Sequence, residues 1–357
     1  MVQRVPQSGI SGNSSFRNMI TNGDMQISQR ATSFASMGNG DSQYTLDRWK
    51  FDEEGDLGAA EITVTQDTDV PTGEGFAKSL KCVCATADTS IDSGTIGYIN
   101  QKFEGQMLQH LAKGTSGAKK TTLSFFCKSN LTGTFTVSVH DVDNARMFST
   151  SYSLASANTW EKITINIPAD TTGALDNDNA RSFSIRWNLQ AGTNKSNGSL
   201  ASAWEAQAEG DRAVGQTNFF SSTDNNWYIT GVQWEVGDDA SDFEHLPHDV
   251  QLRRCMRYFQ SYIDPPLRGA VNATQNMGRL GMLLPVTMRA AGTASLGTHS
   301  VFDGTNVGAI ASTTVAYITD KQMEFDVALA AATVVVGRPG IVYVSGGTTT
   351  TTLDAEL

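Results

Sequence analysis

The sequence predicts a mainly β protein: an antiparallel jelly-roll β-sandwich, followed by a linking helix and a small C-terminal β domain. Three observations predict it. Charged residues are only 18% of the 357-residue chain, and 33 glycines accompany abundant Ser, Thr and Asn, a composition suited to strands joined by tight turns. Between residues 58 and 236, apolar residues recur at every second position. One segment, "DVQLRRCMRYFQSY" from Asp249 to Tyr262, carries the helical period instead.

The elements follow in order. Residues 1–17 read as a leader and residues 18–240 as the sandwich. In "SLKCVCATA", Cys82 and Cys84 lie two apart and share one face of a strand. No second Cys or His pair completes a zinc cluster, so they read as small core residues, as do the isolated Cys127 and Cys255. "EGQMLQHLAKG", Glu104 to Gly114, has a helical-turn signature. Four segments then alternate: Leu123, Phe125 and Cys127; Phe135, Val137 and Val139; Ile163, Ile165 and Ile167; Phe183, Ile185 and Trp187. Polar residues fill nearly every intervening site, and clusters such as "ADTTGALDNDNA" separate the strands, the pattern of half-buried strands in a two-sheet sandwich.

Residues 241–266 read as linker and helix. Asp249 stands where a cap is needed, and Leu252, Cys255, Met256 and Phe259 form one apolar stripe. The stripe predicts a strut buried against the C-terminal unit. Arg253, Arg254 and Arg257 fall off it and read as a solvated face. After "DPP", strand signals in "LGMLLPVTM", "TVAYITDKQMEFDVAL" and "GIVYVSG" predict the small β domain, residues 267–357.

Charge and motifs exclude several functions. A net charge of -11 repels polyanions, because nucleic-acid affinity comes largely from Lys and Arg releasing counterions. No nucleic-acid partner is expected. No apolar run approaches a membrane span and no secretory signal core is present, so neither membrane insertion nor export by that route is expected. In "FEHLPHD" the two histidines, His245 and His248, are three apart on a Pro-containing linker, which is not the helical zinc pair of a metalloprotease. No phosphate-cradling loop or nucleophile elbow occurs. "DVDNARMFSTSY" and "DNDNARSFSIRW" lack the central glycine and closing glutamate of a calcium loop and read as turns. "FDEEGD", Phe51 to Asp56, reads as a solvated acidic turn. The chain is expected to be no enzyme and to carry no catalytic residue, metal or cofactor.

Five blocks, in order, resemble phage and prophage virion proteins of the tail-fibre or carbohydrate-binding-like kind: "FRNMITNGDMQISQRATSF", "YTLDRWKF", "YITGVQWEVGDDASDFEHLPHDVQLRRCMRYFQSY", "LLPVTMRAAGT" and the terminal "LDAEL". They run from Asn18 to Leu357. The resemblance implies a sandwich, helix and small β domain, assembly into a virion in the host cytoplasm, and contact with other virion tail or capsid proteins. It implies a tail-fibre or tail-appendage component that binds host-surface polysaccharide without cutting it. The alternatives are a head fibre or capsid decoration protein and a polysaccharide depolymerase. Only about seventeen residues precede the first block, so attachment is expected through that leader, the sandwich surface or another fibre protein. A homotrimer is implied by the habit of fibre proteins, with "SGGTTTTTLDAEL" ordered by neighbouring copies. In the families it resembles the "DRW" and "QxE" blocks recur together, and this resemblance implies that Arg48 reaches Glu235, with Trp49 packed inside. Trp204, Tyr152 and Trp227 are the aromatics least explained by a core alternation and are the expected platforms for pyranose rings.

Overall fold

The computed structural model describes residues 16–263, 265, 267–271, 277–297, 299–330, 335, 339–343 and 350–357. The sandwich strands are β1 (Ser33–Met37), β2 (Gln43–Tyr44), β3 (Lys50–Glu54), β4 (Glu61–Asp67), β5 (Ser79–Thr86), β6 (Ile96–Glu104) and β7 (Thr121–Ser129). They continue as β8 (Gly133–Asp141), β9 (Arg146–Leu154), β10 (Glu161–Ile167), β11 (Arg181–Ala191), β12 (Glu205–Ala206) and β13 (Asn226–Val236). One sheet runs β1-β4-β5-β13-β7-β10 and the other β12-β9-β8-β11-β6-β3-β2.

The predicted alternation sets the core between these sheets. Leu123, Phe125 and Cys127 of β7, the Phe135 set of β8 and the Phe183 set of β11 all point inward and are buried, with Ile165 and Ile167 of β10. The four cysteines are buried and free. Trp49 and Trp187 meet with centroids 5.3 Å apart, and Phe183 stacks on Trp234 at 5.9 Å. One bulge changes the parity: β13 slips register against β7 between Thr230 and Gln233, so Trp227 and Ile229 face inward before it, and Val232 and Trp234 after it. Gly231, at φ +60°, makes the turn, and a Cβ there would lie 2.5 Å from Phe76 Cζ.

The helix is shorter than its apolar period predicts. It spans His248–Met256 with Pro247, not Asp249, at the N-cap position, and Phe259 opens the next strand, β14 (Phe259–Tyr262). Cys255 and Phe259 are buried while Leu252 and Met256 are half-buried, and Gln251 takes an inward place, its Nε2 donating to Asp24 Oδ1 at 2.7 Å. The polar anchors of the helix therefore lie on the sandwich. Only Arg253 is the solvated arginine expected: Arg254 Nη2 donates to Asn18 O at 3.1 Å, and Arg257 donates twice to Glu104, at 2.8 and 2.6 Å.

The C-terminal unit contains β15 (Arg268–Val271), β16 (Met277–Leu283), β17 (Thr293–Ser295), β18 (Ser300–Phe302), β19 (Val307–Ile318), β20 (Gln322–Leu329), β21 (Pro339–Tyr343) and β22 (Thr351–Asp354). Six of these close a barrel, β15-β16-β20-β19-β18-β21, over a core that includes Leu280, Val301, Met323 and Phe325. The remaining sheet is β14-β22-β17. The last strand pairs on both edges within its own chain, with β14 and β17; residues 344–349 of the Thr/Gly-rich stretch lie outside the described residues.

The end of the chain closes the joint. Ala355 N donates to Tyr258 O at 2.8 Å, Lys102 Nζ donates to Leu357 O at 3.0 Å, and Arg48 forms a buried ion pair with Glu356. The expected partner, Glu235, is elsewhere. The β13 bulge turns it off the core, where it accepts from Ser241 Oγ at 2.7 Å and Gln233 Nε2 at 2.8 Å and pairs with Arg17 at 3.5 Å. Trp49 does pack inside, its Nε1 donating to Asn22 O at 2.9 Å. Among the described residues no helix is long and apolar enough to cross a membrane.

Candidate functional site

Alternation that sends apolar residues inward sends their neighbours to the outer face of each sheet. On the seven-stranded sheet the register aligns Lys50, Asn100, Arg186, Ser138 and Ser149 in one row across β3, β6, β11, β8 and β9. Lys102, Ser184, His140 and Met147 form the next. An outer face of this kind is normally wet, yet Asn100, Ser138, His140, Ser149 and Ser184 are each no more than 2% exposed. Among the described residues Asn100 Oδ1, Ser149 Oγ and Ser184 Oγ have no hydrogen-bond partner, and Asn188 Oδ1 and Gln190 Oε1 further along the same face have none either. Each stranded polar group costs about 1–3 kcal/mol unless water or a ligand satisfies it. These rows form a buried polar face lined with hydroxyls and amides.

The loop 192–217 walls one side. Arg212 O accepts from Asn188 Nδ2 at 3.3 Å, and Gln216 Oε1 accepts from Thr136 N at 2.8 Å. Glu54, at the end of β3, accepts from Arg212 at 2.6 and 2.9 Å and from Arg186 at 2.9 Å. Burial alone would raise its carboxyl, but the hydrogen bond and charge of Arg212, with Arg186 and Lys195, hold it well below the usual carboxylate range. Of "FDEEGD", Phe51 to Glu54 belong to β3 with Glu54 tied to the arginines, while Gly55 and Asp56 are exposed as the sequence suggests. The Arg186 guanidinium lies 4.7 Å from the Tyr98 ring centroid. At the other end, burial and the nearby Lys50 push Lys102 down to about 8.

Burial, with the charges of Arg186 and Arg212, also holds the His140 imidazole well below its ordinary 6.5. It stays neutral, one nitrogen donating and the other accepting, with Nε2 3.2 Å from Ser138 Oγ. The stability consequence has a definite sign. Below about pH 6.5 the unfolded chain protonates this histidine and the folded chain does not, so its contribution falls as the pH drops. His140→Gln is expected to flatten the melting temperature between pH 7 and pH 5 relative to the unmodified chain; equal slopes would contradict it.

The aromatics expected from the sequence lie elsewhere. Trp227 is buried between the sheets, its Nε1 3.4 Å from Tyr152 Oη, and Tyr152 packs at 5.3 Å from Phe125 and 5.7 Å from Phe135. Neither offers a ring face to a ligand, because Trp227 sits on the inward parity of β13 and its neighbour Tyr228 on the outward one. Trp204 is half-buried, its Nε1 donating to Pro168 O at 2.8 Å and its ring 5.5 Å from Phe183. The residues that line the polar face were visible in the sequence only as alternate polar positions. Their signal is their type: Ser, Asn, Gln and His predominate on β8 and β11, where a solvated face would carry Lys and Glu. His245 rests against Phe76 and Phe243 at 5.3 and 4.9 Å, and no group of three His, Cys, Asp or Glu side chains is placed to hold a metal among the described residues.

No family model matches the chain, and no curated protein matches it. Among solved structures it is similar to the enzymatically active domain of bacteriophage CBA120 tailspike protein 4, at 14% identity and a TM-score of 0.33, over 63% of this chain. The chain spans 22% of the length of that tailspike. It is also similar to a CBM4 structure, at 15% identity and a TM-score of 0.31, over 61% of this chain and 99% of the other. The family 11 carbohydrate-binding module of Clostridium thermocellum Lic26A-Cel5E is a third, at 10% identity and a TM-score of 0.28, over 59% and 99%.

Proposed function

We propose that the protein is a phage virion component, a tail-fibre or tail-appendage part, that holds a host-surface polysaccharide on the polar face of its seven-stranded sheet and does not cut it. The glycan reading is carried by two adjacent buried polar rows of the seven-stranded sheet, in which Asn100 Oδ1, Ser149 Oγ and Ser184 Oγ have no hydrogen-bond partner among the described residues. Sugar hydroxyls donate and accept at once, so one ring satisfies several of these groups together, whereas an apolar ligand would leave them all stranded. Neutral His140 and the Arg186 guanidinium add further donors on the same face. The virion reading rests on the five sequence blocks.

Two of the carboxylates on this face, Asp52 and Glu54, favour binding without cleavage. A glycosidase needs a carboxyl whose pKa is raised so that it can donate a proton. Asp52 and Glu54 are shifted the other way: burial would raise both, but Ser42, Lys50 and Lys102 outweigh it at Asp52, and the arginines outweigh it at Glu54. Glu205, opposite Met147 on the same face, is raised by burial and by Asp211, and is the candidate acid of the depolymerase alternative. Several copies on one particle, as a homotrimer with other tail or capsid proteins, would compensate a weak single site, since multivalency raises avidity by about 10² to 10⁴. The test is a glycan array probed with multimerised protein, with released reducing ends followed in parallel. Binding without release is expected. Absence of binding to every host glycan would contradict the receptor role, and released ends would make the protein a depolymerase.

A further inference from the structure

The opposite side of the sandwich holds a recess of about 210 Å³, bounded by β7, β10, the Gly231 bulge of β13 and the loops 73–76 and 241–245. We propose that it is a separate saccharide site, sized for a single neutral pyranose ring. It shares a ligand class with the polar face and none of its residues.

The floor is aromatic. Phe76 lies 5.6 Å from Phe126, 5.0 Å from Phe243 and 5.3 Å from His245, with Phe76 and Phe126 largely buried, Phe243 half-buried and His245 exposed at the mouth. The bulge makes this packing possible, because a Cβ on residue 231 would fall 2.5 Å from Phe76 Cζ and 3.1 Å from Phe126 Cδ2. The rim is charged and uncommitted: Glu74, Asp242 and Lys162 enter no ion pair among the described residues.

The combination selects the ligand. A pyranose has an apolar C–H face to lie on rings and a hydroxyl edge to meet carboxylates and an ammonium. An anion would face Glu74 and Asp242. A cation would meet Lys162, whose Nζ lies 5.7 Å from the Phe126 centroid, where a bound cation would stack. A wholly apolar ligand would desolvate all three charges with no return. Pockets for drug-sized ligands run from about 300 to 1,000 Å³, so this one takes one sugar residue, a chain end or a branch, and not a run of them.

The experiment is saturation-transfer NMR on the full chain with the methyl glycosides of glucose, galactose, mannose and N-acetylglucosamine. At least one is expected to be saturated at its ring C–H protons, with affinity at least tenfold lower in Phe243→Ala. The double variant Glu74→Gln, Asp242→Asn, altered only at exposed positions, is expected to show the same loss with an unchanged melting temperature, and it decides the matter should Phe243→Ala unfold. The Ser149→Ala, Ser184→Ala double variant, altered on the other face, is expected to keep the signal. Saturation of none of the four glycosides, or a signal that survives the rim and floor variants, would overturn the proposal. Loss of the signal only in the Ser149→Ala, Ser184→Ala variant would overturn it too, while leaving the polar face as a glycan site.

Discussion

Replacing Glu356 by alanine is expected to destabilise the intact chain by about 3–5 kcal/mol. Its carboxylate is paired with Arg48, and the two side chains are 3% and 2% exposed. The Arg48 guanidinium also lies flat on Tyr258, 3.4 Å from the ring centroid, and donates to the carbonyl of Lys102. Removing the carboxylate leaves a buried cation without its counter-charge, and water has no ready access to replace it. The change sits next to the last residue, yet it acts on the joint between sandwich, helix and C-terminal sheet. Arg253→Ala is the control, because Arg253 is exposed on the helix and its loss should fall within about 0.5 kcal/mol of zero. Urea unfolding of the two variants checks the claim; coincident midpoints would mean the Arg48–Glu356 pair contributes nothing.

Glu104→Ala is expected to cost a similar amount, about 3–5 kcal/mol, and to act on the helix first. Glu104 ends β6 with its carboxylate buried, and it accepts from Arg257 twice, from Tyr258 Oη at 2.5 Å and from Gln106 Nε2 at 2.6 Å. Burial would raise this carboxyl, but the hydrogen bonds of Arg257, Tyr258 and Gln106 hold it below its ordinary value. The folded pKa is therefore depressed. Its stabilisation is present above the unfolded value of about 4.3 and is lost as the pH falls through the folded one. In the alanine variant, amide exchange should accelerate across His248–Tyr262 while β6, β8 and β11 stay protected. Unchanged protection of the helix would show that Glu104 does not hold it.

These two anchors also mark where the sequence stopped being legible. The sandwich could be read because burial acts at every second residue and writes itself as a period: the β7, β8 and β11 faces point inward as their alternation predicts. Trp49 inside the core follows the same logic. The partner of Arg48 could not be read, because Glu356 reaches it from more than three hundred residues away by way of a C-terminal strand. The helical stripe misled for a local reason. Phe259 stands at the i+7 position from Leu252, but the chain leaves the helix after Met256, once Arg257 and Tyr258 are drawn to Glu104. In β13 a single bulge at Gly231 reversed the parity, placing Trp227 inside and Glu235 outside. The polar face was legible only in part, because alternate Ser and Asn positions look alike whether they face open water or lie buried.

The polar face makes one demand that an ordinary surface would not. Ser149 Oγ and Ser184 Oγ have no hydrogen-bond partner among the described residues, so removing them costs the fold little, yet each hydrogen bond to a bound sugar is worth about 1 kcal/mol. The direct measurement is the affinity of the Ser149→Ala, Ser184→Ala double variant for the polysaccharide that the unmodified protein binds best, taken together with its melting temperature. Affinity is expected to fall by about tenfold or more while the melting temperature holds or rises. An unchanged affinity, or one that falls only in step with a lowered melting temperature, would contradict the polar face as the glycan site.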